Sequence, residues 1–141
     1  MVAQHSFEDH ASEVRLCVTA DTLAAVFEEA GHALAELMLD GPPPASVGPV
    51  DEVHLGARDR AALLVHWLNE LIFLSETRKQ VYVDFHIDSV SETAIHARVR
   101  GVFPDVLRTA VKAATLHDVV FRESVSENGG RSYAVKVVLD V

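Results

Sequence analysis

Val81-Tyr82-Val83-Asp84-Phe85-His86-Ile87-Asp88 decides the architecture of this chain. Val81, Val83, Phe85 and Ile87 alternate with Tyr82, Asp84, His86 and Asp88, and a period of two turns one apolar face toward a core. Ile95, Ala97 and Val99 resume the alternation after a turn at Ser91-Glu92, which makes the pair a hairpin. Beyond Gly101 and Pro104 a run from about Val111 to Glu123 is separated by Asn128-Gly129-Gly130 from a last strand carrying Tyr133, Val135, Val137 and Leu139. The glycine turn marks a second hairpin, so the second half of the chain reads as four strands.

Working upstream, the period changes. Leu63, Leu64, Trp67, Leu68, Leu71 and Ile72 form an apolar stripe at helical spacing behind Asp59, a residue type that caps helices. Leu23, Val26, Phe27, Ala30, Leu34, Leu37 and Met38 form another behind Asp21-Thr22, and Gly41 with Pro42-Pro43-Pro44 ends it. A β-like stretch from Val47 to Leu55 lies between them, limited by Pro49 to an edge position. Val14, Leu16 and Val18 alternate in a first strand from Glu13 to Thr19. The order strand, helix, edge strand, helix and four strands predicts an α+β fold of two layers, with two amphipathic helices on one face of a mainly antiparallel sheet.

At 141 residues and 49% apolar content the chain fits one domain, residues 1–141, with a real core. Twenty-one acidic residues against twelve basic ones give a formal charge of −9, which argues against direct, tight nucleic-acid binding and favours a cation or a basic protein surface. Arg58, Arg60, Arg98, Arg100 and Arg108 are scattered and make no RNA track; Arg98 and Arg100 share a strand face that suits a small docking patch. Cys17, the single cysteine, excludes an internal disulfide and a zinc site of several thiolates, and reads as a small buried hydrophobe. No signal-peptide layout opens the chain and no apolar run reaches the ~20 residues of a membrane span, so a cytoplasmic protein with no membrane partner is expected.

Four segments carry a family resemblance. Asp9-His10-Ala11-Ser12-Glu13-Val14 looks like the Asp-His-Thr-Ala-Asp signature, followed by Val or Ile, of the archease family. Val65-His66-Trp67-Leu68-Asn69-Glu70-Leu71-Ile72 resembles that family's Trp-Leu-Asn-Glu-Leu block. Leu116-His117 takes the place of a Tyr-His pair, and Val138-Leu139-Asp140-Val141 is similar to its C-terminal Leu-Asp-Ile or Leu-Asp-Val. The segments run nearly end to end in the same order. The resemblance implies a protein that is not itself an enzyme, binds a divalent cation at one tip, and docks on a GTP-dependent, RtcB-type RNA ligase of tRNA splicing. There it would promote guanylation of the ligase's active-site histidine and multiple turnover. A chaperone-like modulator of RNA methylases is the family's other proposed role. Ala11, Ser12 and Glu13 depart from the signature; Glu13 keeps the charge on a side chain one methylene longer.

Asp9 and Glu13 stand at the entrance to the first strand, and Asp140 with the terminal carboxylate of Val141 at the exit of the last. If those ends meet, their oxygens suit a hard divalent cation, calcium first, with magnesium or manganese as alternatives. Glu13, Asp140 and Val141 would be the ligands and Asp9 a supporting one. The plainer readings are a cap or turn role for Asp9 and Glu13 and a solvated end for Asp140. His10 is either a turn residue or a neighbour of the metal. His117 reads as a core histidine or a residue near the tip, Trp67 as core, and Asn69-Glu70 as braces of loops around the site. His66 with Glu70, and His32 with Glu36, read as solvent-facing i,i+4 pairs. A metal-dependent phosphoester hydrolase using the same carboxylates would need a general base and a substrate pocket that the sequence does not display. No nucleophile elbow and no phosphate-binding glycine loop is present. Self-association is left open.

Overall fold

The computed structural model describes residues 2–141, and the side chain of His10 lies outside the described residues. Helix α1 (Leu23–Met38) starts at Thr22, whose hydroxyl accepts the Ala25 N–H, and ends at the extended residue Leu39. Helix α2 (Arg60–Arg78) starts at Asp59, whose carboxylate accepts the Ala62 N–H at 2.8 Å. It ends at Lys79, left-handed at φ 57°, whose N–H donates to Ser75. Each cap satisfies a backbone group that the first or last turn leaves without an intrahelical partner. The helices meet through Trp67, which is fully buried and donates its indole N–H to the Phe27 carbonyl at 3.0 Å. Its ring lies edge-on to those of Phe27 and Phe85. Gly31 makes room for that packing, since a Cβ there would lie 2.7 Å from the Phe85 ring.

Seven strands surround the helices: β1 (Gln4–His10), β2 (Glu13–Ala20), β3 (Asp51–Gly56), β4 (Val81–Val90), β5 (Ala94–Val102), β6 (Ala113–Val125) and β7 (Arg131–Asp140). The α+β class holds, but the strands are divided between two antiparallel sheets, ordered β1-β2-β7-β6 and β3-β5-β4. Helix α1 packs on β4 and β2, and α2 packs on β6 and β3. One contiguous core therefore joins both sheets to both helices, with Leu16, Phe27, Leu64, Trp67, Leu71, Val99 and Leu139 at its centre. As Pro49 requires, β3 begins only at Asp51 and lies at a sheet edge; before it, the N–H groups of Val47 and Gly48 donate to Gly101. Asp51 then accepts from the Tyr82 hydroxyl at 2.5 Å and pairs with Arg78 at 3.3 Å, tying β3 to β4 and α2. Burial, reinforced by Asp51, raises the Tyr82 pKa.

Strand β1 is the element that the hydropathy pattern does not reveal. Phe7 is the only large apolar residue in Gln4-His5-Ser6-Phe7-Glu8-Asp9-His10, so no alternation announces a strand. A polar clamp helps hold it: His5 Nδ1 lies 2.7 Å from Glu29 of α1, and its Nε2 bonds Glu36 about two turns further along the same face. Burial works to lower the His5 pKa, but the hydrogen bonds to Glu29 and Glu36 outweigh it and the pKa is raised. A histidine whose folded pKa lies above its unfolded one stabilises fully below the unfolded value, and that contribution fades as pH rises through the folded pKa. The urea-denaturation difference between the wild type and His5→Ala is thus expected to be larger at about pH 6 than at about pH 9. Equal differences at the two pH values would remove the clamp from the account.

Candidate metal-binding tip

The residues at the entrance of β2 and the exit of β7 are neighbours. Strands β1 and β2 turn tightly through Ala11 and Ser12, with Ala11 at φ 23°, and His10 pairs with Glu13. Across the next ladder Glu13 lies directly opposite Asp140, and Val14 opposite Leu139. The Val141 N–H donates to the Ser12 carbonyl at 3.1 Å, and the Lys112 N–H to the Asp140 carbonyl at 2.8 Å. Beneath this tip is a cavity of about 670 Å³ whose lining includes Phe7, Asp9, Glu13, Glu36, Arg108 and Val141.

The tip's side chains are not equivalent. Cross-strand partners share a sheet face, so Glu13 goes with Asp140, whereas Asp9 pairs with Val14 and goes with the other face. Asp9, Glu13 and Val141 line the cavity and Asp140 does not. Among the described residues, ligand atoms of Asp9, Glu13 and Asp140 do not all lie within 4.8 Å of one another. The donors are carboxylate and main-chain oxygens throughout, which fits a calcium-like or magnesium-like ion and offers a soft metal nothing. Two carboxylates directly opposite in an antiparallel ladder repel each other, and a cation between them reverses the sign of that interaction.

Of the expected pair Asn69-Glu70, Asn69 braces a strand where a loop was expected. Its amide oxygen accepts the Ala114 N–H at 2.8 Å and its amide nitrogen donates to the Ala114 carbonyl at 3.0 Å, imitating one more strand along the open edge of β6. Ala113, the residue before it, is paired with Asp140, so this bond from α2 fixes the strand beside the tip.

Other expectations are corrected. His117 is not a core histidine: the β6–β7 register shifts between Thr115 and Val120, Asp118 takes φ 56°, and the intervening residues leave the ladder. Leu116 and His117 are exposed there, with His117 3.2 Å from Asp118. Cys17 is half-buried on the outer face, with its Sγ 4.0 Å from Glu8, because that face of β2 has no helix over it. His66 bonds the Gly56 carbonyl instead of Glu70; His32 lies edge-on to Phe85 while Glu36 receives His5. Arg98 is engaged by Asp88 and Arg100 by the Gly48 carbonyl, so neither is a spare docking charge. The sequence reading passed over Glu52, His54 and His96, three metal-ligating side chains whose ligand atoms lie within 4.8 Å of one another. Only the pairing of β3 with β5 brings them together, though Glu-x-His at period two was a visible half of the pattern.

Fold and tip together define a class: a small acidic α+β domain of two sheets and two helices with an oxygen-rich tip where its first hairpin meets its last strand. The chain belongs to the archease family, since the model described as "Archease protein family (MTH1598/TM1083)" matches residues 5–141. Protein archease of Methanosarcina barkeri is 26% identical over 146 residues, covering 98% of this chain and 96% of its own length. Protein archease of Archaeoglobus fulgidus is 26% identical over 144 residues, covering 98% and 99%. The fold is similar to the solution structure of Methanobacterium thermoautotrophicum protein 1598, with a TM-score of 0.69, 24% identity, and coverage of 97% of this chain and 98% of that one. It is also similar to the crystal structure from Thermotoga maritima titled an archease and possible chaperone, with a TM-score of 0.63, 15% identity, and coverage of 95% and 94%. No helix among the described residues is long and apolar enough to cross a membrane.

Asn69→Ala leaves both Ala114 backbone groups without their side-chain partner. The expected cost is about 1–3 kcal/mol, read by denaturant titration, together with faster hydrogen exchange at Ala114. An unchanged exchange rate there would show that the brace is not needed.

Proposed function

We propose that this chain is a metal-binding, non-catalytic partner that activates a GTP-dependent, RtcB-type RNA ligase of tRNA splicing, acting in the cytoplasm. It promotes guanylation of the ligase's active-site histidine and thereby repeated turnover. Glu13, Asp140 and the main-chain oxygens of Val141 hold a divalent cation, calcium by preference, and Asp9 supports them from the inner face. The ion supplies positive charge at the end of an acidic molecule; the chain's own residues bind it, orient it and present it to the partner.

The observation that carries this reading is the placement of Glu13 opposite Asp140. A sheet tolerates like charges in directly opposed positions at a cost, and a ligand that neutralises them removes it. The Val141–Ser12 hydrogen bond and the Asn69 bond to Ala114 hold the strand ends that bear the oxygens. Those bonds fix the backbone at the strand ends, and the side chains of Glu13, Asp140 and Asp9 turn to bring their oxygens onto the cation.

Two measurements test it. Excess calcium is expected to raise the melting temperature of the wild type by about 5–10 °C, as a ligand at roughly a hundred times its Kd stabilises by about 2.7 kcal/mol. Asp140→Ala should lose that shift without being less stable in chelator. In a guanylation assay with the cognate ligase, the same variant should lose at least about tenfold of the stimulation. Full stimulation by Asp140→Ala would defeat the proposal.

A second reading, a chaperone-like modulator of an RNA methylase, draws on a different surface. Met38, Ile72, Val81, Pro104, Leu107 and Val111 line an apolar cleft of about 460 Å³, and Phe103 and Val106 are exposed. Activity of that kind should survive Asp140→Ala and fall with Val106→Asp, the reverse of the ligase reading.

A further inference from the structure

We propose that Glu52, His54 and His96 form a site for a zinc-class divalent ion on the outer face of the three-stranded sheet, separate from the tip. His54 of β3 and His96 of β5 are directly opposite each other, and Glu52 follows on the same face two residues along. The faces are assigned by burial: Val53, Ile95 and Ala97 point into the core, and their neighbours Glu52, His54 and His96 point away from it. One ligand atom from each lies within 4.8 Å of the others. Bonds of about 2.1 Å in a tetrahedral site need ligand atoms about 3.4 Å apart, so side-chain rotations must close the set. The imidazoles are stacked at a tilt, their centroids 3.7 Å apart at 33°, and binding one ion requires the two rings to splay.

A second observation is independent of that clustering. His96 Nε2 is buried and has no hydrogen-bond partner, and Asp88 Oδ2 lies 3.8 Å away, beyond hydrogen-bond distance. A buried ring nitrogen in that state carries a desolvation cost. Ligation relieves it in either ring orientation. Nε2 becomes a ligand, or Nδ1 does and the polarised Nε2–H closes on Asp88 as metal-bound histidines do on carboxylates.

The surroundings are built for a cation. Asp88 has no opposite partner in the β4–β5 ladder, because the register shifts between Ile87 and Ser89, and such a bulge re-aims a side chain. It reaches His86 at 3.2 Å and takes two bonds from Arg98, at 3.1 and 3.0 Å. Arg98 lies directly opposite Glu52 and interacts with it electrostatically, but its two guanidinium hydrogen bonds go to Asp88. Two nitrogens and one carboxylate suit zinc, nickel or copper, and do not suit calcium or magnesium. The fourth position is left to water or to a donor from a partner.

The test uses the whole chain, untagged and stripped of metal, with zinc titrated in competition with a chromophoric chelator. One zinc equivalent should bind, more than about tenfold more weakly in His54→Ala and in His96→Ala, and more weakly in Glu52→Gln. Asp140→Ala and excess calcium should leave that affinity unchanged, which keeps the outcome distinct from the behaviour of the tip. Histidine NMR of the wild type supplies a measurement that needs no variant: zinc should shift the imidazole resonances of His54 and His96, and not those of His5 or His117. Undiminished zinc binding by His54→Ala, loss of zinc binding in Asp140→Ala, or resonance shifts confined to other histidines would overturn the site.

Discussion

The antiparallel ladder between β2 and β7 joins the beginning of the chain to its end, from Glu13 opposite Asp140 to Ala20 opposite Tyr133. Its inner face contributes Leu16, Val18, Val135, Val137 and Leu139, all buried against the helices. A slip of one residue would turn that whole set toward solvent, so burial specifies the register strongly. The facing of two carboxylates at the ladder's end is therefore a consequence of core packing. Repulsion at one rung is small beside the burial of five aliphatic side chains, each contributing roughly 1.5–3 kcal/mol.

That division of labour, with apolar burial setting the register and polar bonds holding the ends, recurs around the molecule. Asn69 closes the edge of β6 with a side-chain amide, a position where an open strand would otherwise offer unpaired groups to another chain. His5 joins β1 to α1 through Glu29 and Glu36, and Glu36 in turn lines the cavity under the tip. Helix and tip are thus linked by charged and amide groups, while Trp67 and Phe27 hold the two helices together from within.

Both candidate metal sites obey one rule of sheet geometry and differ in chemistry. Directly opposed residues on antiparallel strands bring their side chains within reach of a single ion. At the end of the four-stranded sheet the opposed residues are Glu13 and Asp140, all oxygen; on the three-stranded sheet they are His54 and His96, with Glu52 beside them. All-oxygen sets suit hard ions and nitrogen-containing sets suit borderline ones, so ions at the two proposed sites would not compete.

Periodicity, with the capping residue types at Asp21-Thr22 and Asp59 and the Asn128-Gly129-Gly130 turn, was enough for both helices and for the strands from Glu13 onward, because those segments bury one continuous face and burial writes itself into residue spacing. The exception is β3, which starts at Asp51 and not at Val47. The same reading located Asp9, Glu13, Asp140 and Val141 at strand ends, and the family resemblance is what pointed to them as ligands. Three things were decided only by the tertiary structure. Strand β1 is mostly polar and is held by its ladder to β2 and by the His5 contact with Glu29, twenty-four residues away in sequence, so hydropathy does not announce it. The split into two sheets depends on which strands pair, and alternation reports that a residue is buried without reporting against what. His117 and Asp88 are turned outward by local register shifts, and His54 and His96 are joined by a register; each is a relation between strands that no single strand encodes.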